Sequence, residues 1–321
     1  MTLMLLVAMY GHLHTGFSDM SISDLFRILF GGGNDVENLT VFDFRLVRTI
    51  LAVFIGMGLA MSGAIFQTIS RNELASPSLL GVNAGAGLGV VLLVYFAGST
   101  TAWGIWTLPT VAVAGAVVAA LLIYLLSCRG RDVISPYCLI LTGISMSAGF
   151  HALQVLLVTR LDPNKFYLVN TWTIGTISGN TWEHVWVLAP VVIILSLILY
   201  ARYMELNLLS LADETAIGLG VHINRSRFVY LIIAVLLSGF CVAIGGSIGF
   251  VGLISPHIAR RLVGADHAYF LPLTGLIGAI LVVTADWIGR AIIAPDEILL
   301  GIIVALIGAP YFLYILAKTK V

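Results

Sequence analysis

Few side chains in this sequence could do chemistry, and their spacing limits what that chemistry could be. Asp286 and Arg290 stand four residues apart in an apolar stretch, which puts them on one face of a helix. Ionisable groups in such stretches usually mark function in a membrane. These two fall near the end of theirs, so a structural ion pair and a docking role for Arg290 both fit. The seven histidines, at 12, 14, 151, 184, 222, 257 and 267, are scattered. His12 and His14 alternate near the surface, and two ligands alone make a poor metal site. His151 reads as a satisfied bundle histidine or as a path-lining one, and His257, next to Pro256, reads as a brace for a broken segment. The cysteines (Cys128, Cys138, Cys241) show neither metal-ligand spacing nor an even-numbered disulfide framework. With no His, Cys or carboxylate cluster and no nucleophile–base pair, neither a metal site nor an active site is expected.

Phosphate chemistry is excluded in the same way. A P-loop requires a lysine directly after a glycine. The only lysines are Lys165, Lys318 and Lys320, and none follows one. If ATP drives this protein, a partner chain binds it. An ion-driven carrier would show titratable groups at mid-membrane, and the sequence lacks them. One polar stretch, ELNLLSLADETAIGLGVHINRSRF (205–228), offers a partner something to act on. Asp213 and Glu214 open a short helix with acids at its positive end, and Gly218 and Gly220 stop it. It reads as a lever, with a solvated loop as the alternative.

The elements that must carry these residues follow from composition. Of 321 residues, 60% are hydrophobic and 10% charged, and mean hydropathy is +1.05. A soluble domain carries roughly 25% charged residues. Soluble enzymes, disordered chains and nucleic-acid binders are thereby excluded, and a net charge of zero leaves no basic footprint for nucleic acid. The expectation is an all-α integral membrane protein among membrane lipids.

A span needs about 20 apolar residues. Candidates run over 46–69, 79–97, 105–127, 135–159, 184–203, 227–246, 269–291 and 297–317. Two weaker segments, 1–16 and 250–263, bring the expectation to about ten transmembrane helices, including short and broken ones. Residues 1–16 lack a basic start and a cleavage site, and read as a shortened span rather than a signal peptide. Residues 250–263 look like a half-length helix broken by Pro256. Gly245, Gly246, Gly249 and Gly252 beside it suggest bent backbone, tolerated at depth only when protein or a cavity surrounds it. Gly56, Ala60 and Ala64, like Gly85 and Gly89, recur every four residues and allow close helix contact. No linker divides the chain, so 1–321 reads as one transmembrane domain with a cytoplasmic segment, 205–226, inside it. Placing both termini in the cytoplasm puts ten basic residues inside (Arg71, Arg129, Arg131, Arg202, Arg225, Arg227, Arg260, Arg261, Lys318, Lys320) and six outside, the expected bias.

Four ordered segments then become specific. RLVRTILAVFIGMGLAMSGAIFQTISRNELASPSLLGVNAGAGLG (45–89) resembles the second and third spans of the FecCD-type permeases. ADETAIGLGV (212–221) resembles their coupling helix. GGSIGFVGLISPHIARRLVGADHAYFLP (245–272) and ADWIGR (285–290) with LLGIIVALIGAPYFLYIL (299–316) resemble their last third. The likeness runs from about residue 17 to the C-terminus, and the short first span is its one departure.

The resemblance implies a type II ABC importer permease in the bacterial inner (cytoplasmic) membrane, for ferric siderophores, haem or cobalamin. It implies pairing with a second copy or a paralogue, and a path at the dimer interface. An ABC ATPase dimer carrying ATP and magnesium would dock at Leu211, Ala212, Asp213, Glu214, Thr215, Ala216, Gly218 and Gly220. A periplasmic or lipid-anchored substrate-binding protein would dock on Arg45, Arg48 and Arg290. The inner gate maps to Ser135, Pro136 and Tyr137. The permease itself would be non-catalytic and hold no cofactor. A ferric siderophore is the expected cargo, with haem or cobalamin as the alternative.

Overall fold

The computed structural model describes residues 1–14, 21–96, 104–127, 136–293 and 296–318. Every regular element among them is helical. In chain order these are α1 (Thr2–His14), α2 (Ile22–Leu29), α3 (Asp35–Asn38), a π-helical stretch (Leu39–Leu46) running into α4 (Val47–Ser70), α5 (Val82–Phe96), α6 (Thr107–Ser127) and α7 (Pro136–Val158). Then come α8 (Pro163–Ile174), α9 (Trp182–Ala201), α10 (Tyr203–Leu209), α11 (Asp213–Gly218), α12 (Ile223–Gly245), α13 (Val251–Val263), α14 (His267–Ile292) and α15 (Leu300–Lys318).

The expected spans are all present as helices. Among the described residues, six helical stretches are long and apolar enough to cross a membrane: 35–70, which includes α4, then α6, α7, α9, α12 and α14. α1, α5 and the 300–315 part of α15 are apolar but shorter. With α13, these ten correspond one for one to the segments read from the sequence.

α4 is the axis of the bundle. It is apolar on every side, the pattern of a helix enclosed by others, and it packs against α9, α12, α13 and α14. Hydrophobicity cannot drive helices together in lipid, so close backbone approach must. At the α4–α14 crossing, a Cβ on Gly56 or Gly278 would collide with the other's carbonyl oxygen. Gly63 meets the carbonyl of Gly252 on α13 in the same way, and Gly85 of α5 meets Gly115 of α6. α7 is different: Leu141, Val155 and Leu156 stand exposed on it, an apolar face turned out of the bundle.

Two features depart from expectation. Pro256 does not break α13, which runs through it. The turn comes earlier, where Gly246 (φ 74°) and Phe250 (φ 62°) adopt left-handed conformations. Proline forfeits the hydrogen bond to the residue four before it; here that residue is Gly252, whose carbonyl lies against Gly63 instead. The second feature is α8, a helix absent from the sequence reading. Asp162 caps its N-terminus by accepting from the Lys165 N–H at 3.0 Å, Pro163 opens it, and Gly175 (φ 99°) ends it. Its end is tied to the α12–α13 turn by Ser247 N–H donating to the Trp172 carbonyl, and to α15 by Gly301 N–H donating to the Gly175 carbonyl.

Candidate functional site

Two charged clusters lie at opposite ends of α4, one around Arg71, the residue that caps its C-terminus, and one around Arg48 in its first turn. Arg48 and Arg71 are 23 residues apart, about 34 Å at 1.5 Å per residue.

The first cluster holds the expected lever. α11 begins at Asp213 with Glu214 behind it, as acids at the helix's positive end favour. Asp213 does more than complement a dipole. Its Oδ1 accepts from Arg227 Nη2 at 2.7 Å, its Oδ2 from Nη1 at 3.1 Å, and Arg71 adds a further contact to Oδ1. Arg71 also donates to the Leu209 carbonyl, closing α10 against the end of α4. Burial alone would raise the Asp213 carboxyl, but hydrogen bonds and charge from Arg227 and Arg71 outweigh it and hold it below the usual carboxylate range.

α10 is bolted down beside it. Glu205 accepts from Ser226 (2.5 Å), Tyr230 (2.7 Å) and Arg202 (3.0 Å). Burial raises this carboxyl too, and those three donors overcome it, leaving it lowered. Asn207 donates to Asp266 at 2.9 Å and accepts from the His267 N–H, joining α10 to the start of α14.

The end of α11 corrects one detail. Gly218 lies within the last turn, and the terminator is Gly220, at φ 87°. The Val221 N–H then donates to the Ala216 carbonyl at 3.0 Å, satisfying an orphan group of the helix end. Ala216 is fully buried, whereas Glu214, Thr215, Gly218 and the large apolar side chains of Leu211, Ile217 and Leu219 are exposed. Glu214 makes no ion pair among the described residues.

The second cluster gathers Arg45, Arg48 and Arg290, and turns them inward. Asp286, 1% exposed, accepts from Arg48 Nε at 2.7 Å and Nη2 at 2.9 Å, a bidentate pair. It also meets His12 Nε2 at 2.7 Å. Arg290 Nε lies 3.6 Å away, so the four-residue spacing does bring the two together, but Arg48 is the closer partner. Arg290 instead donates to the His12 carbonyl at 2.7 Å, at the end of α1. Arg45, 5% exposed, donates to the carbonyls of Leu13 and His14. Arg48 also reaches outward, through Nη1 to Glu297 at 2.7 Å, and Glu297 is 30% exposed.

The remaining candidates scatter. His12 is no surface residue: it is fully buried between Asp286 and Thr49, whose hydroxyl is 2.7 Å from Nδ1. His151 stands exposed on α7 rather than satisfied in the bundle. His257 braces α13 against α15 through the Tyr311 hydroxyl at 2.9 Å. Of the gate residues, Ser135 lies outside the described residues, Pro136 opens α7, and Tyr137 is exposed beside it. Among the described residues, no three His, Cys, Asp or Glu side chains gather to hold a metal. The sequence reading missed the clamp residues Arg71, Arg227, Glu205 and Tyr230. For the three charged residues the one signal was charge at the ends of apolar runs, and Tyr230 gave none.

The FecCD transport family model matches residues 3–318. The chain is 39% identical to the iron(3+)-hydroxamate import system permease protein FhuG of Bacillus subtilis, over 99% of this chain and 95% of that protein. It is 43% identical to the Fe(3+)-citrate import system permease protein YfmE of the same organism, over 85% and 80%. Its fold is similar to a solved inward-facing conformation of a metal-chelate type ABC transporter, with a TM-score of 0.87, 33% identity, and 99% and 97% of the two chains covered.

Proposed function

The chain belongs to the FecCD transport family, and on that premise we propose that it is the membrane-spanning permease subunit of an ATP-driven importer that carries iron as a ferric siderophore or similar ferric chelate. The observation that carries the reading is end-to-end similarity to ferric hydroxamate and ferric citrate permeases. The protein is a multi-pass membrane protein of the bacterial cytoplasmic membrane, with both termini and the α10–α11 segment on the cytoplasmic side.

It works with a second permease, identical or paralogous, and with an ABC ATPase that holds the ATP and magnesium. The exposed knob of Leu211, Ile217 and Leu219, with Glu214 and Thr215 beside it, suits a groove on that ATPase. Ala212 and Asp213 anchor the knob, and Gly218 and Gly220 shape its end. Movement of α11 passes through Asp213 to α12 and α4 together, because Arg227 belongs to one and Arg71 ends the other. α4 is a packed rod, so it delivers that movement to α1 and α14 at the far face. Alternating access then follows from rocking of the two permeases, with the gate at Ser135, Pro136 and Tyr137.

A substrate-binding protein docks on the far face, over Arg45, Arg48 and Arg290. Arg45 and Arg290 donate to backbone carbonyls at the end of α1 and support it. Arg48 is the receiver, since an incoming carboxylate can take the place of Glu297 on Nη1. Such pairing orients the encounter and speeds it more than it tightens it.

The test is uptake in iron-starved cells with and without this chain, comparing labelled ferric hydroxamate, ferric citrate, haem and cobalamin. Loss of one ferric chelate, restored only when the ATPase is intact, is the expected result. Loss confined to haem or cobalamin overturns the cargo, and uptake that survives an inactive ATPase overturns the mechanism.

A further inference from the structure

A cleft of about 520 Å³ opens beside the lever, between the end of α9, α10 and the start of α12. Its two ends differ in chemistry. The polar end carries Arg202, Arg225 and His222, all exposed. The other end is lined by Ile198, Val229 and Ile233, and Ile198 and Val229 lie open on the outward faces of their spans. His222 and Ile233 are 11 residues apart along α12, so the cleft runs about 16 Å from the end of the span into the apolar layer.

The charge balance at the polar end is uneven. Glu205 is the one acid in the lining, and its oxygens already accept from Ser226, Tyr230 and Arg202. Arg202, itself exposed in the lining, engages it through Nη1 and keeps its other guanidinium donors for a further acceptor. Arg225 makes no hydrogen bond or ion pair among the described residues. Two guanidiniums thus flank a cavity that has an apolar floor and lies where spans end. A soluble anion would have no use for that floor, and a protein helix would leave Arg225 short of an acceptor unless it carried an acid.

We propose that this cleft binds the headgroup of one anionic phospholipid, its phosphate between Arg202 and Arg225 and an acyl chain along Ile198, Val229 and Ile233. Basic clefts between spans at a membrane surface are suited to such headgroups. The cleft wall includes Leu219, Gly220 and Val221, the segment that ends α11. A bound lipid therefore braces the lever at its C-terminal end, whereas Asp213 fixes its start. The site depends on the chain spanning a membrane and is independent of the cargo.

The test uses the full-length chain in detergent, stripped of lipid and incubated with phosphatidylglycerol or phosphatidylcholine, with retained lipid counted by native mass spectrometry. One phosphatidylglycerol retained in preference to phosphatidylcholine is expected. Arg225→Glu should lower its retention at least about fivefold, the scale of a lost guanidinium–phosphate contact, while Arg225→Lys keeps most of it. Because Arg225 is exposed and makes no bond among the described residues, Arg225→Glu should melt like the parent without lipid, so a loss of retention is not a loss of fold. Three results overturn the proposal: equal retention of both lipids by the parent, unchanged retention in Arg225→Glu, or displacement of phosphatidylglycerol by millimolar glycerol phosphate. If Arg225→Glu leaves retention intact but abolishes association with the ATPase, the cleft is a protein contact and the lipid site is rejected.

Discussion

Arg227 grips Asp213 with both ends of its guanidinium, at 2.7 and 3.1 Å, so the first residue of α11 is fixed to the second turn of α12. Arg227 is 3% exposed and Asp213 about one-third exposed, which makes the pair a hinge pin rather than a surface bridge. Surface pairs contribute little. A pin whose cation is buried cannot be removed cheaply, because the cation loses its bidentate carboxylate.

Asp213 and Glu214 therefore separate into two roles. Asp213→Asn should cost about 2 kcal/mol in stability, less than a fully buried pair because the carboxyl is part-exposed. It should also cut uptake while ATP hydrolysis continues. Glu214→Lys should leave the melting temperature unchanged and weaken ATPase association. Melting in detergent beside coupled uptake and hydrolysis assays checks both. Equal melting losses from the two would reject the separation.

The Asp213 clamp also has a pH signature. Its folded carboxyl is lowered, so its contribution is complete above the ordinary carboxylate pKa of about 3.9 and is lost as pH falls through the lower folded value. The melting difference between the parent and Asp213→Asn should hold from pH 7 to about 5 and shrink below about 4. A difference that shrinks instead between pH 7 and 5 would assign the effect to another group.

Gly218 and Gly220 look alike in the sequence and should respond oppositely. Gly218 is helical with open space around its Cα, so Gly218→Ala should be neutral or stabilise by up to about 1 kcal/mol. Gly220 has φ 87°, so Gly220→Ala should cost about 1 kcal/mol or more despite equally open space. Melting temperatures of the two variants decide, and a loss at Gly218 with none at Gly220 would contradict the cap.

These cases mark how far the sequence could be read. The ten apolar segments were legible because each signals itself by local composition, and the small residues at 56, 60 and 85 because spacing along one helix is local too. α8 was not, because PNKFYLVNTWTI mixes polar and apolar residues with no run to notice, and only its Asp-Pro start and Gly end mark it. The charged clusters were half legible. Four-residue spacing offered Arg290 to Asp286, yet Arg48, 238 residues away in the chain, is the bidentate partner. Asp213 was read against its own helix dipole, while its partners lie 14 and 142 residues away. Pairings between distant segments depend on helix crossings, and those are fixed by glycine contacts such as Gly56 with Gly278.

The buried half of the far cluster should show in stability. Asp286→Asn leaves Arg48 and His12 facing a neutral amide in a buried site, a loss of about 3–5 kcal/mol. Arg290→Gln removes the hydrogen bond to the His12 carbonyl and the longer approach to Asp286, and should cost about 1–2 kcal/mol. Protease cleavage within α1 should also accelerate in Asp286→Asn, because His12 is what ties α1 to this carboxylate. A ranking with Arg290→Gln the more damaging would make the i,i+4 pair the principal one after all.

The exposed half should show in docking. Glu297 occupies the one donor that Arg48 points outward, and its own 30% exposure makes it the replaceable partner of the cluster. If an acid on the substrate-binding protein competes for that donor, removing the resident carboxylate favours the visitor. Glu297→Gln should then tighten capture of the loaded binding protein about two- to fivefold at low salt, the range of an exposed charge pair. The gain should fade as ionic strength rises and the Debye length shrinks to about 10 Å or less. Arg48→Lys, which keeps the charge but loses the fork, should weaken capture without abolishing it. Surface plasmon resonance of the reconstituted permease–ATPase complex against its binding protein reads all three. If Glu297→Gln instead loosens capture, Glu297 is itself a docking residue, and the exchange of carboxylates on Arg48 does not occur.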